Sequence, residues 1–171
     1  MSDQNSESAK RLWFRMLRLH TRMNSAVAVR LKALGLSVPQ CDVLTTLTER
    51  EGISQQELAA RLYVTKGNIS GLVDRLVTAG LVERRSIASD RRSHAIYLSA
   101  RGRHIAEQAI QAQAAFVTDT LGRLSREQIA AFDALLIAAR DIVREYTGRS
   151  RSIASKDASA DQIRRPRSMN N

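Results

Sequence analysis

Proline occurs only twice in the 171 residues, at Pro39 and Pro166, so little in the chain forbids long uninterrupted helices. Aromatic residues make up 4% against 43% hydrophobic overall, and a core must therefore be built from Leu, Ile, Val and Ala. That is the composition of helix packing. Cysteine occurs once, at Cys41, which excludes an intrachain disulfide and a cysteine-cluster metal site. No apolar run approaches the roughly 20 residues that span a bilayer, and Met1 to Lys10 lacks the apolar stretch of a signal peptide. His20, His94 and His104 are scattered, and His104 with Glu107 is the only near pair, too little for a zinc site. There is no glycine-rich phosphate loop, Ser-His-Asp set or paired acidic cluster. The expectation is a soluble, cytoplasmic protein with no catalytic residues, metal or cofactor, and with no membrane partner.

What the chain has in excess is positive charge. Lys and Arg number 27 against 17 acids, giving +10, which points to a polyanionic partner. Six bases (Arg149, Arg151, Lys156, Arg164, Arg165, Arg167) and two acids (Asp157, Asp161) lie in 148–171, so that segment carries +4 and the body keeps +6. A basic tail on a neutral body does not account for the surplus.

Periodicity supplies the elements. Leu12, Met16, Leu19, Met23, Val27, Leu31 and Leu34 recur at spacings of three and four, predicting a first helix from about Glu7 to Leu34. Ser37-Val38-Pro39-Gln40 is a capping box with proline in the first turn, opening a helix with Val43, Leu44 and Leu47. A second box, Ser54-Gln55-Gln56-Glu57, opens a short helix with Leu58, Ala59 and Leu62. Thr65 then caps a helix running to about Ala79, buried through Ile69, Leu72, Val73 and Leu76. Two strand-like runs follow, Leu81 to Ile87 and His94 to Leu98, joined by the basic tip Ala88 to Ser93. A helix from about Ala100 to Arg123 carries Ile105, Ala109, Ala112 and Phe116. A third box, Ser125-Arg126-Glu127-Gln128, opens the last helix. Its apolar positions, Ile129, Phe132, Leu136, Ala139, Val143 and Tyr146, alternate spacings of three and four, the 3.5-residue period that suits packing along another helix. From Gly148 periodicity ceases, and 148–171 reads as a disordered basic tail.

The middle of the chain thus reads helix, helix, tight turn, helix, basic hairpin. That is the order of a helix-turn-helix whose second helix enters the major groove, followed by a wing. Residues Leu36 to Arg103 resemble the multiple-antibiotic-resistance regulator (MarR) family. The resemblance rests on Ser54 to Ala59, Leu72-Val73-Asp74-Arg75-Leu76, Ala79-Gly80-Leu81-Val82-Glu83-Arg84 and Asp90-Arg91-Arg92-Ser93. Tyr97 to Gly102 stands where the family commonly has Leu-Thr-x-x-Gly, and the flanking helices extend the likeness over about 7–147. The resemblance implies a mainly α winged helix-turn-helix fold with a small β-hairpin wing. Its DNA-binding lobe spans about 36–99, between dimerisation helices at about 7–34 and 100–147. It also implies a homodimer that binds double-stranded DNA, most simply as a ligand-responsive repressor on a palindromic operator. A non-specific or architectural nucleic-acid binder is the alternative from another class.

Thr65, Lys66, Gly67, Asn68 and Ser70 cluster at the start of the recognition helix. Lys and Asn hydrogen-bond to guanine and adenine edges, Gly67 admits close backbone approach, and the helix N-terminus attracts phosphate. An ordinary solvated helix start is the competing reading. Gly71 inside the helix costs roughly 1 kcal/mol relative to Ala, whether for close approach or by accident. The resemblance places Arg92 in the minor groove, with Asp90 holding it or the turn, and Arg91 on phosphate. Arg75, Arg84 and Arg85 are phosphate-contact candidates or merely solvated charges, and Asp74 is expected to pair internally.

Trp13, Met16, His20 and Met23 on the first helix, with Cys41 on the second, form a candidate effector pocket, although such a stripe also reads as plain core. The resemblance implies aromatic or phenolic effectors. Cys41 is either a small buried hydrophobe or the thiol of a redox-sensing regulator.

Overall fold

The computed structural model describes residues 2–87 and 90–164, and within them the side chains of 4–86 and 94–148. Helix α1 (Ser2–Lys32) starts five residues before the expected Glu7. The apolar stripe of α1 divides along its length. Leu31 is fully buried, with Val27 and Leu34 packed against the same core. Leu12, Trp13, Phe14, Met16, Leu17 and Leu19 are 41–66% exposed.

Helix α2 (Val38–Glu49) begins where the capping box is complete: Ser37 Oγ accepts from the Gln40 N–H, and Gln40 Oε1 accepts from the Ser37 N–H at 2.9 Å. It buries Cys41, Val43, Leu44 and Leu47. Strand β1 (Ile53–Ser54) leads into α3 (Gln55–Arg61), where Ser54 Oγ accepts from the Glu57 N–H at 3.1 Å. The Glu57 carboxylate does not close that box. It turns instead to Arg61 at 3.2 Å and Arg50 at 3.5 Å. Helix α4 (Lys66–Thr78) is capped by Thr65, whose Oγ1 accepts from the Asn68 N–H at 3.3 Å, and it buries Ile69, Leu72, Val73 and Leu76.

The turn between α3 and α4 closes with two backbone bonds, Tyr63 N–H to Ala60 O at 3.3 Å and Val64 N–H to Ala59 O at 3.0 Å. This pairing needs a left-handed residue just past the helix, normally glycine. Here it is Tyr63, at φ +54°, the one described residue other than glycine with positive φ. A side chain in that conformation costs roughly 1–2 kcal/mol.

Strands β2 (Val82–Ile87) and β3 (Asp90–Leu98) pair antiparallel, and β1 adds to the other edge of β3, giving the order β1-β3-β2. The sequence reading put Asp90 to Ser93 in the hairpin connection. Their backbone instead belongs to β3, with Ile87 opposite Asp90 and an irregularity at Ser86/Ile87. Strand β1 was not legible at all, because two residues make a strand only through their partners Ile96 and Ala95.

Helix α5 (Ala100–Asp119) ends before the expected Arg123, and a 3₁₀ turn spans Leu121–Arg123. Buried Leu44, Leu47, Leu58, Ile69, Leu76 and Ile96 join α2, α3, α4 and the sheet into one core. Truncating any one of these to Ala would cost about 2–5 kcal/mol. Ser125 opens the last helix, α6 (Arg126–Arg164), by a complete capping box with Gln128. The reading of 148–171 as disordered differs from this, since the helix continues to Arg164. A single glycine at 148 does not stop a helix already under way, and the next proline is Pro166. The chain divides into two compact units, Met1–Asp119 and Thr120–Asn171. Within the second, Ile129, Phe132, Leu136 and Val143 are all exposed.

Candidate nucleic-acid interface

Because Ile69, Leu72, Val73 and Leu76 bind α4 to the core, its opposite face is fixed outward. Lys66, Gly67, Asn68 and Arg75 are exposed on it, and Ser70 is half-buried. Asn68, Gly71 and Arg75, spaced by three and four residues, share one side with a cleft of about 370 Å³ lined also by Pro39 and Val64. The Thr65 hydroxyl is occupied by the cap, so Thr65 shapes the helix end. A Cβ added at Gly67 would meet nothing within 4 Å, so the chain itself does not require glycine there. At Gly71 an added Cβ would find only Arg75 Nη1 at 3.6 Å, an ordinary contact.

The arginines of β2 alternate between the two faces of the hairpin, as the period of a strand dictates. Arg84 faces the helices, where its guanidinium lies 2.5 Å from Asp74 Oδ1 on α4. With its amide oxygen turned inward, Gln55 at the start of α3 accepts from the same guanidinium at 2.7 and 3.2 Å. Asp74 is thus satisfied internally, as the sequence suggested. Arg84 brackets three elements together and is therefore not the merely solvated charge that the sequence also allowed. Arg85 points the other way, stacked 4.3 Å over the Tyr97 ring and 3.2 Å from Glu83. Sequence reasoning missed Gln55, Tyr97 and the exposed Tyr63. The first two emerge only from strand register, whereas a tyrosine where the turn wants glycine was a readable signal. Asp90, Arg91 and Arg92 lie on β3, and their side chains fall outside the described residues.

The effector candidates do not gather within one chain. Cys41 sits in the core that contains Leu31, while Trp13 lies 18 residues away from Leu31 along α1, about 27 Å. Trp13, Met16 and His20 are exposed and Met23 is half-buried. Cys41 is completely buried, and burial, with the Asp42 charge second, pushes its thiol up to about 11. A thiol with so little thiolate at neutral pH reacts slowly with oxidants, and its complete burial fits the reading of Cys41 as a small buried hydrophobe. Among the described residues, no three His, Cys, Asp or Glu side chains gather where they could hold a metal ion. No described helix is long and apolar enough to cross a membrane.

Residues 34–93 match the family model described as the MarR family. An HTH-type transcriptional repressor of Mycobacterium bovis is 31% identical over 125 residues, covering 73% of this chain and 90% of that protein. The transcriptional activatory protein BadR of Rhodopseudomonas palustris is 31% identical over 128 residues, covering 72% of this chain and 73% of BadR. Among solved structures, the transcriptional repressor CouR bound to a 23-mer DNA duplex is 27% identical. It superposes with a TM-score of 0.72, covering 78% of this chain and 95% of that one.

Proposed function

The chain belongs to the MarR family, and from that premise we propose that it is a sequence-specific DNA-binding transcription regulator, acting as a homodimeric repressor on a palindromic operator. The observation that carries this reading is the outward face of α4. It presents Lys66 and Asn68, donors suited to base edges, on a helix start that favours phosphate. The +6 charge of residues 1–147 supplies the general attraction to duplex DNA. CouR, which is similar in fold and sequence, is a repressor bound to duplex DNA.

Homodimerisation is supported by the apolar faces left exposed on the N-terminal half of α1 and on α6. Two such faces, each carrying large side chains, call for a partner surface. Response to a small aromatic or phenolic molecule is part of the proposal, with Trp13, Met16, His20 and Met23 as lining once a second copy covers α1. The chain acts in the cytoplasm, on the nucleoid.

The test is a duplex titration at matched salt, using operator DNA enriched by the wild-type chain from a random library and a scrambled control. Specific binding should exceed control binding by at least about a thousandfold. Asn68→Ala should lose roughly 1–3 kcal/mol on the selected duplex only, relaxing preference at one base pair per half-site. Equal affinity for both duplexes would move the chain to the architectural class of nucleic-acid binder.

A further inference from the structure

Tyr63 stands in the turn between α3 and α4, two residues ahead of the cap that starts the recognition helix. It occupies the left-handed position that closes this turn, where glycine fits without strain. Its side chain is 97% exposed, so the ring recovers no packing energy from the described residues. Its hydroxyl makes no hydrogen bond among the described residues. The fold therefore tolerates a strained backbone at Tyr63 and gains nothing visible from the ring. Strained residues of this kind cluster at functional sites and ligand clamps.

The surroundings indicate what that is. A residue just ahead of a groove-entering helix lies at the groove wall, where the sugar-phosphate backbone runs. The nearest cation on α3, Arg61, is held by Glu57 at 3.2 Å, so a charged contact from that helix is already engaged. A phenol is a neutral donor of the type that contacts phosphate oxygens. We infer that Tyr63 donates a hydrogen bond from its hydroxyl to a DNA phosphate flanking the recognition helix, fixing the depth and angle at which α4 enters the groove. The inference rests on the regulator reading above.

Two variants separate this from the alternatives. Tyr63→Phe keeps the ring and the backbone but removes the donor. It should leave Tm unchanged and weaken binding about tenfold on selected and scrambled duplexes alike, as a phosphate contact does. Because no charge is lost, the slope of affinity against salt should not change. Tyr63→Gly relieves the strain as well, so Tm should rise by a few degrees while DNA affinity falls at least as far. Wild-type affinity in both variants would overturn the inference while leaving the regulator reading intact. So would unchanged DNA affinity with an altered dimer mass by light scattering, which would assign the ring to a second copy of the chain. If the wild-type chain enriches no duplex, the regulator reading itself fails and the inference falls with it.

Discussion

A Cβ placed on Gly102 would sit 1.8 Å from the carbonyl oxygen of Leu81, inside the radius of any permitted contact. The start of α5 therefore lies directly against the residue before β2. Ser99 holds the two together. Its N–H donates to Leu81 O at 3.1 Å, its hydroxyl donates to Gly80 O at 2.7 Å, and its Oγ accepts from the Gly102 N–H at 2.9 Å.

Gly102→Ala should thus be one of the most disruptive small substitutions in the protein. The obstacle is backbone, which cannot rotate away as a side chain would, and the cost should be about 3 kcal/mol or more. Thermal unfolding measures it, and a Tm within about one degree of wild type would mean that α5 and β2 separate easily.

The bracket formed by Asp74 and Arg84 makes a prediction whose sign is decisive. If it orients the hairpin, neutralising Asp74 to Asn should weaken DNA binding, although it removes a negative charge from the DNA-facing lobe. Simple electrostatics predicts the opposite. In a double-mutant cycle with Arg84→Ala, stability should show a coupling of about 1 kcal/mol, modest because both groups are partly exposed. Additive effects, together with tighter binding by Asp74→Asn, would return Arg84 to a direct phosphate role.

Cys41 ties stability to alkaline pH. The buried thiol ionises at about 11, against an ordinary value of 9.0, so the folded state holds its proton more tightly than the unfolded state does. The contribution is complete below the unfolded value. It declines as pH rises from about 9 towards 11, by about 1.4 kcal/mol per pH unit. Denaturant unfolding at pH 8 to 11 should show that decline in the wild type and a shallower one in Cys41→Val, which has no proton to lose. Identical slopes would mean that the thiol is not shielded from solvent.

Much of this architecture is written locally in the chain. Ser37 with Gln40, and Ser125 with Gln128, mark helix starts because the capping bonds join residues three apart, whatever the rest of the protein does. The stripe on α4 is equally local, and so was the surface it leaves facing outward. The features that escaped reading depend on distant partners. Strand β1 exists only opposite Ile96 and Ala95. The engagement of Arg85 by Tyr97 depends on a register that no window of sequence fixes. Arg84, on a strand, looked like a surface charge because its partners Gln55 and Asp74 come from two separate helices.

The divided stripe of α1 gives one helix two different thermodynamic owners. The turns around Leu31 are held by the chain's own core, at any dilution. The turns from Leu12 to Leu19 have no such anchor among the described residues, and with the proposed second copy as their cover they depend on mass action. Amide exchange should therefore be graded along a single continuous helix, slow near Leu31 and increasingly sensitive to protein concentration towards Leu12. Dilution loosens this arm first, while the lobe that carries α4 stays folded.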